Sequence, residues 1–293
     1  MTQRFLLCLT TLLCLSSARA DDALKSELER VYNAWRAALM AKSVVAWQRS
    51  TATYRQAYTH NVVVSQGRPY PEALFDLPLT PPTLLDLKLI EAEAVGETAH
   101  LVYFGKIDLG IEGEAIPENL MMLKFYKEGD QWKFDTTRYF NLASNPEMRN
   151  ALQSGKPDFL EGPAFTPPGT APAVPKLCKK PEKIGAIRIH AIGYEVRANL
   201  NGFDHDPVAD DAVQQLAIGG LARGPNKLVL NIQQIPLSDE SGAERHLEVQ
   251  VVMATDNPEK PTTRVFRWEP KTHPAPAKVE LNVVLDIQTM KGI

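Results

Sequence analysis

The chain has 293 residues, of which 44% are hydrophobic and 23% are charged, a composition that is ordinary for a globular protein of about two domains. Its 32 basic and 35 acidic residues give a net charge of −3, and neither half of the chain has a basic excess. We therefore expect no nucleic acid as a partner.

Residues 1–20 have the pattern of a cleavable secretory signal. A basic residue precedes an apolar run, and the small residues Ala18 and Ala20 stand where a signal peptidase reads the chain. The run is too short to span a bilayer and no later run approaches that length, so no transmembrane segment is expected after cleavage. The sequence predicts cleavage after Ala20 and a periplasmic or secreted protein. Cys178 is then the single cysteine of the mature chain, so no internal disulfide is expected.

Helices are predicted after the signal. Apolar residues recur at steps of three and four over 24–39, and Asp21 is suited to the start of such an amphipathic helix. Ser43 is suited to cap a second helix, in which aromatic and small residues repeat the same stride over 47–58. Pro71 stands at a good first-turn position for a short third helix.

Four strands are predicted next, at 84–94, 98–107, 119–126 and 131–139. The last two are joined by a turn at 127–130. Alternation in the third strand puts Leu123 and Phe125 on one face, and Lys124 and Tyr126 on the other.

Residues 21–152 resemble the NTF2-like (cystatin-like α+β cone) superfamily in the order of their predicted elements. Helices come first, and an antiparallel sheet that ends in the hairpin KEGDQWK follows them. The resemblance implies helices that cover the concave face of a curved sheet and leave a conical pocket. Some members are isomerases, dehydratases or hydrolases, whereas many only bind ligands. Others dimerise through the sheet, so a homodimer of this kind is one expectation. The fold alone does not decide between these functions.

An enzyme of this type needs a general base and an oxyanion donor inside the cone. No polar residue stands at a spacing that matches a catalytic pair of the superfamily, so no catalytic residue is predicted. Arg55 and Arg138 carry the charge to bind an anion, whereas His100 and Asp135 are polar residues of the predicted sheet. The ligand-binding candidates are Tyr54, Tyr58, His60, Tyr103, Lys124 and Arg138.

A proline-rich segment, 153–182, divides the chain because proline fixes φ and removes a backbone donor. It predicts a linker between an N-terminal domain at 21–152 and a C-terminal domain at 183–293. The latter shows short strands between turns, as is typical of a β-sandwich. These strands are predicted within 187–200 and at 227–232, 246–254, 262–268 and 279–289, with turns that include 201–202 and 241–242.

Two motifs of the C-terminal half were weighed as sites. The stretch 219–228 resembles the strand entry of Ig-like and jelly-roll accessory domains, with Asn226 expected to bond local backbone. Asp204, Asp206 and Asp210 supply hard oxygen ligands for a cation such as Ca²⁺, but they lack the spacing of a calcium loop, which favours a solvated turn. No zinc-spaced set, phosphate loop or dinucleotide fingerprint is present, so no cofactor is expected.

The sequence thus predicts an α+β chain whose N-terminal domain is NTF2-like and whose C-terminal domain is all-β. Its predicted function is an exported binding or interaction protein of the cell envelope, with a small molecule or an envelope protein as partner. One alternative is an enzyme that acts on a small molecule in the cone. Another is carbohydrate or cell-surface binding through Phe266 or Trp268. A cone filled by Trp, Met and Leu favours the binding protein, and a buried tyrosine or histidine beside an acid favours the enzyme.

Overall fold

The structure, a computed structural model, describes residues 3–76, 80–108, 116–237, 244–272 and 274–286, with side chains from residue 22 onward. The fold is α+β, and its sheets are antiparallel. Packing divides the chain into two compact units. Unit 1 is Met1–Gln56 with Phe75–Val174, and unit 2 is Ala57–Leu74 with Pro175–Ile293.

This division differs from the predicted boundaries in two respects. Residues Ala57–Leu74, predicted to lie in the N-terminal domain, pack with the C-terminal half of the chain. The predicted linker 153–182 is shared between the two units, with its residues up to Val174 in unit 1. Proline content indicated correctly that no strand runs through this segment, but it did not indicate that the segment is packed.

Helix α1 begins before the predicted start at Asp21. The helices are α1 Gln3–Met40, α2 Val44–Ser50, α3 Thr53–Ser65 and α4 Pro146–Gln153, and 3₁₀ turns lie at Glu72–Phe75 and Asp158–Glu161. No proline or glycine occurs between residues 3 and 40, so nothing interrupts α1 at Asp21. Within the described chain, no helix has the length and apolar character needed to cross a membrane.

The predicted second helix is divided into α2 and α3. Ser43 caps α2 as predicted, because its Oγ accepts a hydrogen bond from the backbone N–H of Ala46 at 3.3 Å. The helix then ends because the backbone N–H of Ala52 donates to the carbonyl of Phe134 at 2.8 Å, and Thr51 bridges the same strand residue. This pairing with a strand overrides the helical stride.

Unit 1 contains a four-stranded sheet in the order β1-β2-β3-β4. Its strands are β1 Lys88–Val95, β2 Thr98–Lys106, β3 Glu118–Glu128 and β4 Gln131–Asn141. One face of this sheet, which we call the helix face, packs against α1. Its core consists of aromatic and aliphatic side chains that include Leu28, Tyr32, Leu101, Tyr103, Met121, Leu123, Phe125 and Phe134, with Trp35 packed against them.

The opposite face is covered by the start of the proline-rich segment. We call residues 157–171 the strap, and this face the strap face. Leu160 and Phe165 of the strap are buried against Val102 and Met122 of the sheet. The ring of Phe165 stacks on Phe140 with centroids 4.7 Å apart. Both faces of the sheet are therefore packed.

Backbone hydrogen bonds fix the strap to the turn between β1 and β2. The N–H of Glu97 donates to the carbonyl of Gly169 at 2.8 Å, and the N–H of Gly169 donates to Oγ1 of Thr98 at 2.9 Å. A Cβ atom at Gly96 would meet the carbonyl oxygen of Gly169 at 2.3 Å, so this close approach requires glycine.

Unit 2 contains a seven-stranded antiparallel sheet around one core. Its strands are β5 Gly185–Leu200, β6 Phe203–Asp204, β7 Val208–Leu216, β8 Gly224–Gln234, β9 His246–Ala254, β10 Thr262–Trp268 and β11 Lys278–Leu285. The predicted strands at 246–254 and 262–268 have the observed bounds. Strand β7 was not predicted, because its exposed acidic residues indicated a turn. The predicted turn at 241–242 and the end of the last predicted strand lie outside the described residues.

Strand β5 changes partner along its length. Its residues 185–192 pair with β9, whereas 194–200 pair with β8. Between them Gly193 has φ +72°, and a Cβ atom there would lie 2.6 Å from the guanidinium of Arg245. A single long strand thereby joins two parts of the sheet whose inner side chains form one hydrophobic cluster.

Two predicted turns of unit 2 are confirmed. Asn201 and Gly202 both have positive φ, as a tight hairpin turn requires. Asn226 is fully buried and bonds the local backbone, because its Oδ1 accepts from the N–H of Ala222 at 2.9 Å. Its Nδ2 donates to the carbonyl of Ala222 at 2.8 Å and to that of Val283 at 3.3 Å.

Helix α3 contributes to unit 2 through two polar side chains. Oδ1 of Asn61 accepts from the backbone N–H of Cys178 at 2.8 Å, and Oγ of Ser65 accepts from the N–H of Gly219 at 2.8 Å. Cys178 is buried, with its sulfur 3.5 Å from Ser65 Oγ. This cysteine is therefore a packed residue of unit 2 and not an exposed linker thiol.

Candidate functional site

Charged and polar side chains cross the strap face of the unit 1 sheet from one edge to the other. We call this set the polar row, and it runs from β1 to the first residues of α3. Its members are Glu91, Glu93, His100, Lys124, Tyr126, Asp135, Arg138, Tyr54 and Arg55. Strand alternation places Lys124 and Tyr126 on this face, as predicted, while Leu123 and Phe125 enter the helix-face core.

An ion pair holds one end of the polar row. Asp135 is buried at a β-bulge in the pairing of β3 and β4, and its Oδ1 accepts from Nε of Arg55 at 2.9 Å. The side chain of Arg55 keeps 23% of its surface exposed, whereas that of Asp135 keeps 2%. The buried carboxylate therefore depends on Arg55 for its charge balance.

Two tyrosines lie beside this ion pair. Burial is the main cause that raises the pKa of the Tyr126 phenol, and the charge of Asp135 and a hydrogen bond to it add to the effect. The rings of Tyr54 and Tyr126 meet edge to face, with centroids 6.1 Å apart. The Tyr126 phenol is therefore a neutral hydrogen-bonding group at neutral pH and not a base.

Lys124 and Arg138 bring two cations together at the centre of the row. Lys124 lies opposite Thr136 and Met122 lies opposite Arg138, so the two side chains are diagonal neighbours on one face. Burial lowers the pKa of the Lys124 ammonium, the positive charge of Arg138 lowers it further, and Asp135 opposes both effects. The guanidinium of Arg138 is exposed and lies 4.7 Å from the ring centre of Phe140.

The strap closes a small cavity over this part of the row. The cavity has a volume of 50 Å³ and is lined by His100, Lys124 and Tyr126 from the sheet and by residues 164–168 of the strap. It has room for an ion or a small polar group, and Lys124 forms part of its wall.

An acidic group with one histidine lies at the other end of the row. His100 is 2% exposed, and its Nε2 lies 2.8 Å from a carboxylate oxygen of Glu91. Glu93 lies directly opposite His100 in the strand register. One ligand atom from each of these three residues lies within 4.8 Å of the others, and among the described residues this is the one such group that could hold a metal ion.

Tyr103, another predicted candidate, lies on the helix face and is separate from the polar row. Its phenol donates a hydrogen bond of 2.5 Å to Glu29 of α1, and burial followed by this contact raises its pKa. The pair borders a groove of 560 Å³ that is also lined by Lys25 and Arg36. Tyr54 and Tyr103 therefore do not line one pocket, because Tyr54 contacts Tyr126 on the strap face and Tyr103 belongs to the helix-face core.

Tyr58 and His60 belong to unit 2. The ring of His60 meets that of Tyr70 edge to face at 4.8 Å, and its Nδ1 lies 3.3 Å from Oδ1 of Asn61. This is the environment of a packed histidine beside the Asn61 contact to Cys178.

The aspartates weighed as cation ligands are separately engaged. Asp204 accepts from Asn199 at 2.6 Å, and Asp210 accepts from the backbone N–H of Gly193 at 2.6 Å. The main-chain carbonyl of Asp206 accepts from Gln215 at 2.8 Å. These contacts give Asp204 and Asp210 structural roles in strand pairing.

Sequence reasoning did not identify Glu29, Glu91 or Glu93 as site residues. The spacing of Glu91 and Glu93 indicated that they share a face of a strand, but only the register with β2 brings them to His100. Glu29 lies on α1, and its partner Tyr103 is 74 residues away in the sequence.

No family model matches this chain, and neither does any curated protein or any solved structure. The interpretation of the site therefore rests on the geometry of its own residues.

Proposed function

We propose that this chain is an exported, non-catalytic binding protein that holds a small anion on the strap face of unit 1. In this proposal, unit 1 is an NTF2-like α+β cone, a reading that the order of helices and four antiparallel strands supports. Unit 2 is a β-sandwich, which the partner change of β5 around one core supports. The signal pattern of residues 1–20 supports export to the periplasm or the medium.

One contrast between the two faces of the sheet carries the proposal. The core of the helix face is filled by Trp35, Met121 and Phe134 together with neighbouring leucines, so space for a ligand on this face is confined to the groove beside Tyr103. On the strap face, Lys124 lines a cavity, and Arg138 is its diagonal neighbour on β4. The exposed charge of Arg138 repels the half-buried ammonium of Lys124, and an anion between them removes this repulsion.

The chemistry of the two cations favours an oxyanion such as a carboxylate, phosphate or sulfate. The planar guanidinium of Arg138 can donate two parallel hydrogen bonds to such a group, and the ammonium of Lys124 supplies a point charge. Tyr126 adds a neutral hydroxyl to the same cavity wall. A cavity of 50 Å³ limits the enclosed part of the ligand to a small charged group.

Thermal unfolding of the full chain with added phosphate, sulfate or malonate tests this function. A ligand at one hundred times its Kd stabilises the folded state by about 2.7 kcal/mol, so at least one anion should raise the Tm in a saturable manner. Lys124→Met and Arg138→Gln should abolish the rise. Lys106→Met, which removes an exposed charge from the end of β2, should preserve it. Equal responses of the Lys124→Met variant and the Lys106→Met control would exclude the proposed site.

A second candidate function is supported by Tyr103 and Glu29. A buried phenol that donates to a carboxylate, beside a groove lined by Arg36, has the groups that an NTF2-like enzyme would use on a small molecule. In that case Glu29 would be the base, because the raised pKa of Tyr103 keeps the phenol protonated. Binding of a small molecule in this groove that Glu29→Gln weakens and Lys124→Met leaves unchanged would favour the enzyme.

The other two expectations receive less support from the geometry. Phe266 and Trp268, the candidates for carbohydrate binding, are partly buried and pack against the core of unit 2. Neither ring is thus a fully exposed platform for a sugar. A homodimer through the unit 1 sheet would have to use an edge strand, β1 or β4, because α1 and the strap already pack on the two faces.

A further inference from the structure

We propose that Glu91, Glu93 and His100 form a binding site for a divalent transition-metal ion, with Zn²⁺ as the best-suited ion. This site adjoins the proposed anion site, because His100 also lines the cavity there, but neither proposal depends on the other. It lies at the β1 edge of the strap face, and its three ligands come from two neighbouring strands.

The strand register creates the donor set. Glu91 and Glu93 are two residues apart on β1, so both carboxylates leave the same face of the strand. Glu93 is directly opposite His100 on β2, and Glu91 lies diagonally across from it. The three ligand atoms lie within 4.8 Å of one another, close enough for small side-chain adjustments to bring them to one ion.

The donor chemistry selects the class of ion. One imidazole nitrogen and two carboxylate oxygens match the ligands that Zn²⁺ takes at about 2.0–2.2 Å, with a fourth position left for water. Ca²⁺ takes six to eight oxygen ligands and Mg²⁺ retains several waters, so a set of three with a histidine suits neither as well. The adjoining cavity, lined by His100 and Thr98, can accommodate the water.

The surroundings of the three residues also favour a cation. The imidazole of His100 is buried, and its Nε2 already points at Glu91. Within the described chain, no lysine or arginine forms an ion pair with Glu91 or Glu93. Lys124 is the partner of His100 on β3, one strand further from the two carboxylates of β1. Two carboxylates thus lie together with only a histidine between them.

Calorimetric titration of the full, chelator-treated chain with Zn²⁺ tests the proposal, with Ca²⁺ and Mg²⁺ as comparison ions. We expect one saturable Zn²⁺ site, and we expect Glu93→Gln and Glu91→Gln each to weaken it at least about tenfold, because each removes a charged ligand. Glu118→Gln removes an exposed carboxylate at the start of β3 and should leave the affinity unchanged.

Several results would overturn the proposal. The absence of saturable Zn²⁺ binding would do so, as would equal affinities for the Glu93→Gln variant and the wild type. His190 and His246 lie on unit 2 with ring centres 4.6 Å apart, so a loss of binding in His190→Gln alone would place the ion there. Circular dichroism and the Tm of each variant without metal establish that it is folded. A Co²⁺ absorption spectrum typical of nitrogen and oxygen ligands, present in the Glu118→Gln variant and lost in the Glu93→Gln variant, is the independent check.

Discussion

At the scale of single residues, the charged side chains of the polar row differ in how deeply they are buried. This difference determines how much the loss of each charge lowers the stability of the fold. Asp135 is almost fully enclosed, whereas its partner Arg55 keeps contact with water. Loss of the arginine leaves a buried carboxylate without its cation. Loss of the aspartate frees an arginine that water can partly solvate.

Replacement of either member of the Arg55–Asp135 ion pair should lower the stability, and the loss should be larger for the arginine. Arg55→Met should lower the free energy of unfolding by about 3 kcal/mol, because the buried carboxylate loses its partner. Asp135→Asn should cost about 1–2 kcal/mol, because the amide oxygen still accepts a hydrogen bond. Urea unfolding of both variants measures the difference, and a larger loss for Asp135→Asn than for Arg55→Met would contradict this account.

Tyr103 gives a prediction for alkaline pH. Its pKa in the folded chain is raised by burial and by Glu29, so the unfolded chain loses this proton at a lower pH than the folded chain does. The stabilisation from the neutral phenol is complete below about pH 10 and is lost as the pH rises above that value. Tyr103→Phe should therefore reduce the fall in Tm between pH 9 and pH 11. Equal falls in the wild type and in Tyr103→Phe would show that Tyr103 does not control this transition.

At the scale of elements, the strap is the segment whose role was least visible in the sequence. Its prolines indicated correctly that it forms neither an α-helix nor a strand, but Phe165 packs it onto Met122 and Phe140. Phe165→Ala should destabilise unit 1 by about 3–5 kcal/mol, because it removes a buried ring from a packed site. Val174→Ala, at an exposed position after the strap, should cost less than 1 kcal/mol. Denaturant unfolding compares the two, and a cost below 1 kcal/mol for Phe165→Ala would mean that the strap is not docked.

Local pattern predicted the strands well and the contacts between distant segments poorly. Alternation placed Leu123 and Lys124 on opposite faces of β3, because side chains of a strand alternate whatever the partner strand is. The break between α2 and α3 was not predictable, because it arises where Ala52 pairs with β4. Prediction of the contact between Glu93 and His100 requires the register of β1 and β2. Prediction of the contact between Glu29 and Tyr103 requires the packing of α1 on the sheet. Neither can be read from the local sequence pattern.

At the scale of the whole molecule, each unit consists of two chain segments, and the segments of the two units alternate along the sequence. Residues 57–74 belong to unit 2, so the chain enters that unit, returns to unit 1 and enters unit 2 again after Val174. The contacts of Asn61 and Ser65 with the segment that follows Val174 hold this arrangement together. The fragment 175–293 alone lacks both side chains.

The alternation of segments between the two units predicts the outcome of limited proteolysis. Val174 and Leu177 are exposed, so cleavage should occur between residues 172 and 177. The two fragments should then remain associated during gel filtration under native conditions, because residues 57–74 stay on the N-terminal fragment but pack in unit 2. Elution of two separate folded fragments would contradict the division of the chain, and first cleavage within 157–171 would contradict the docking of the strap.

The central claim is that the strap face of unit 1 binds an anion, and amide chemical shifts of the full chain during titration with phosphate or malonate test it most directly. The account predicts saturable shifts at residues 122–126, 136–138 and 164–166, and their loss in Lys124→Met but not in Lys106→Met. Shifts that cluster around Glu29 and Tyr103 or within unit 2, or the absence of saturable shifts, would contradict it.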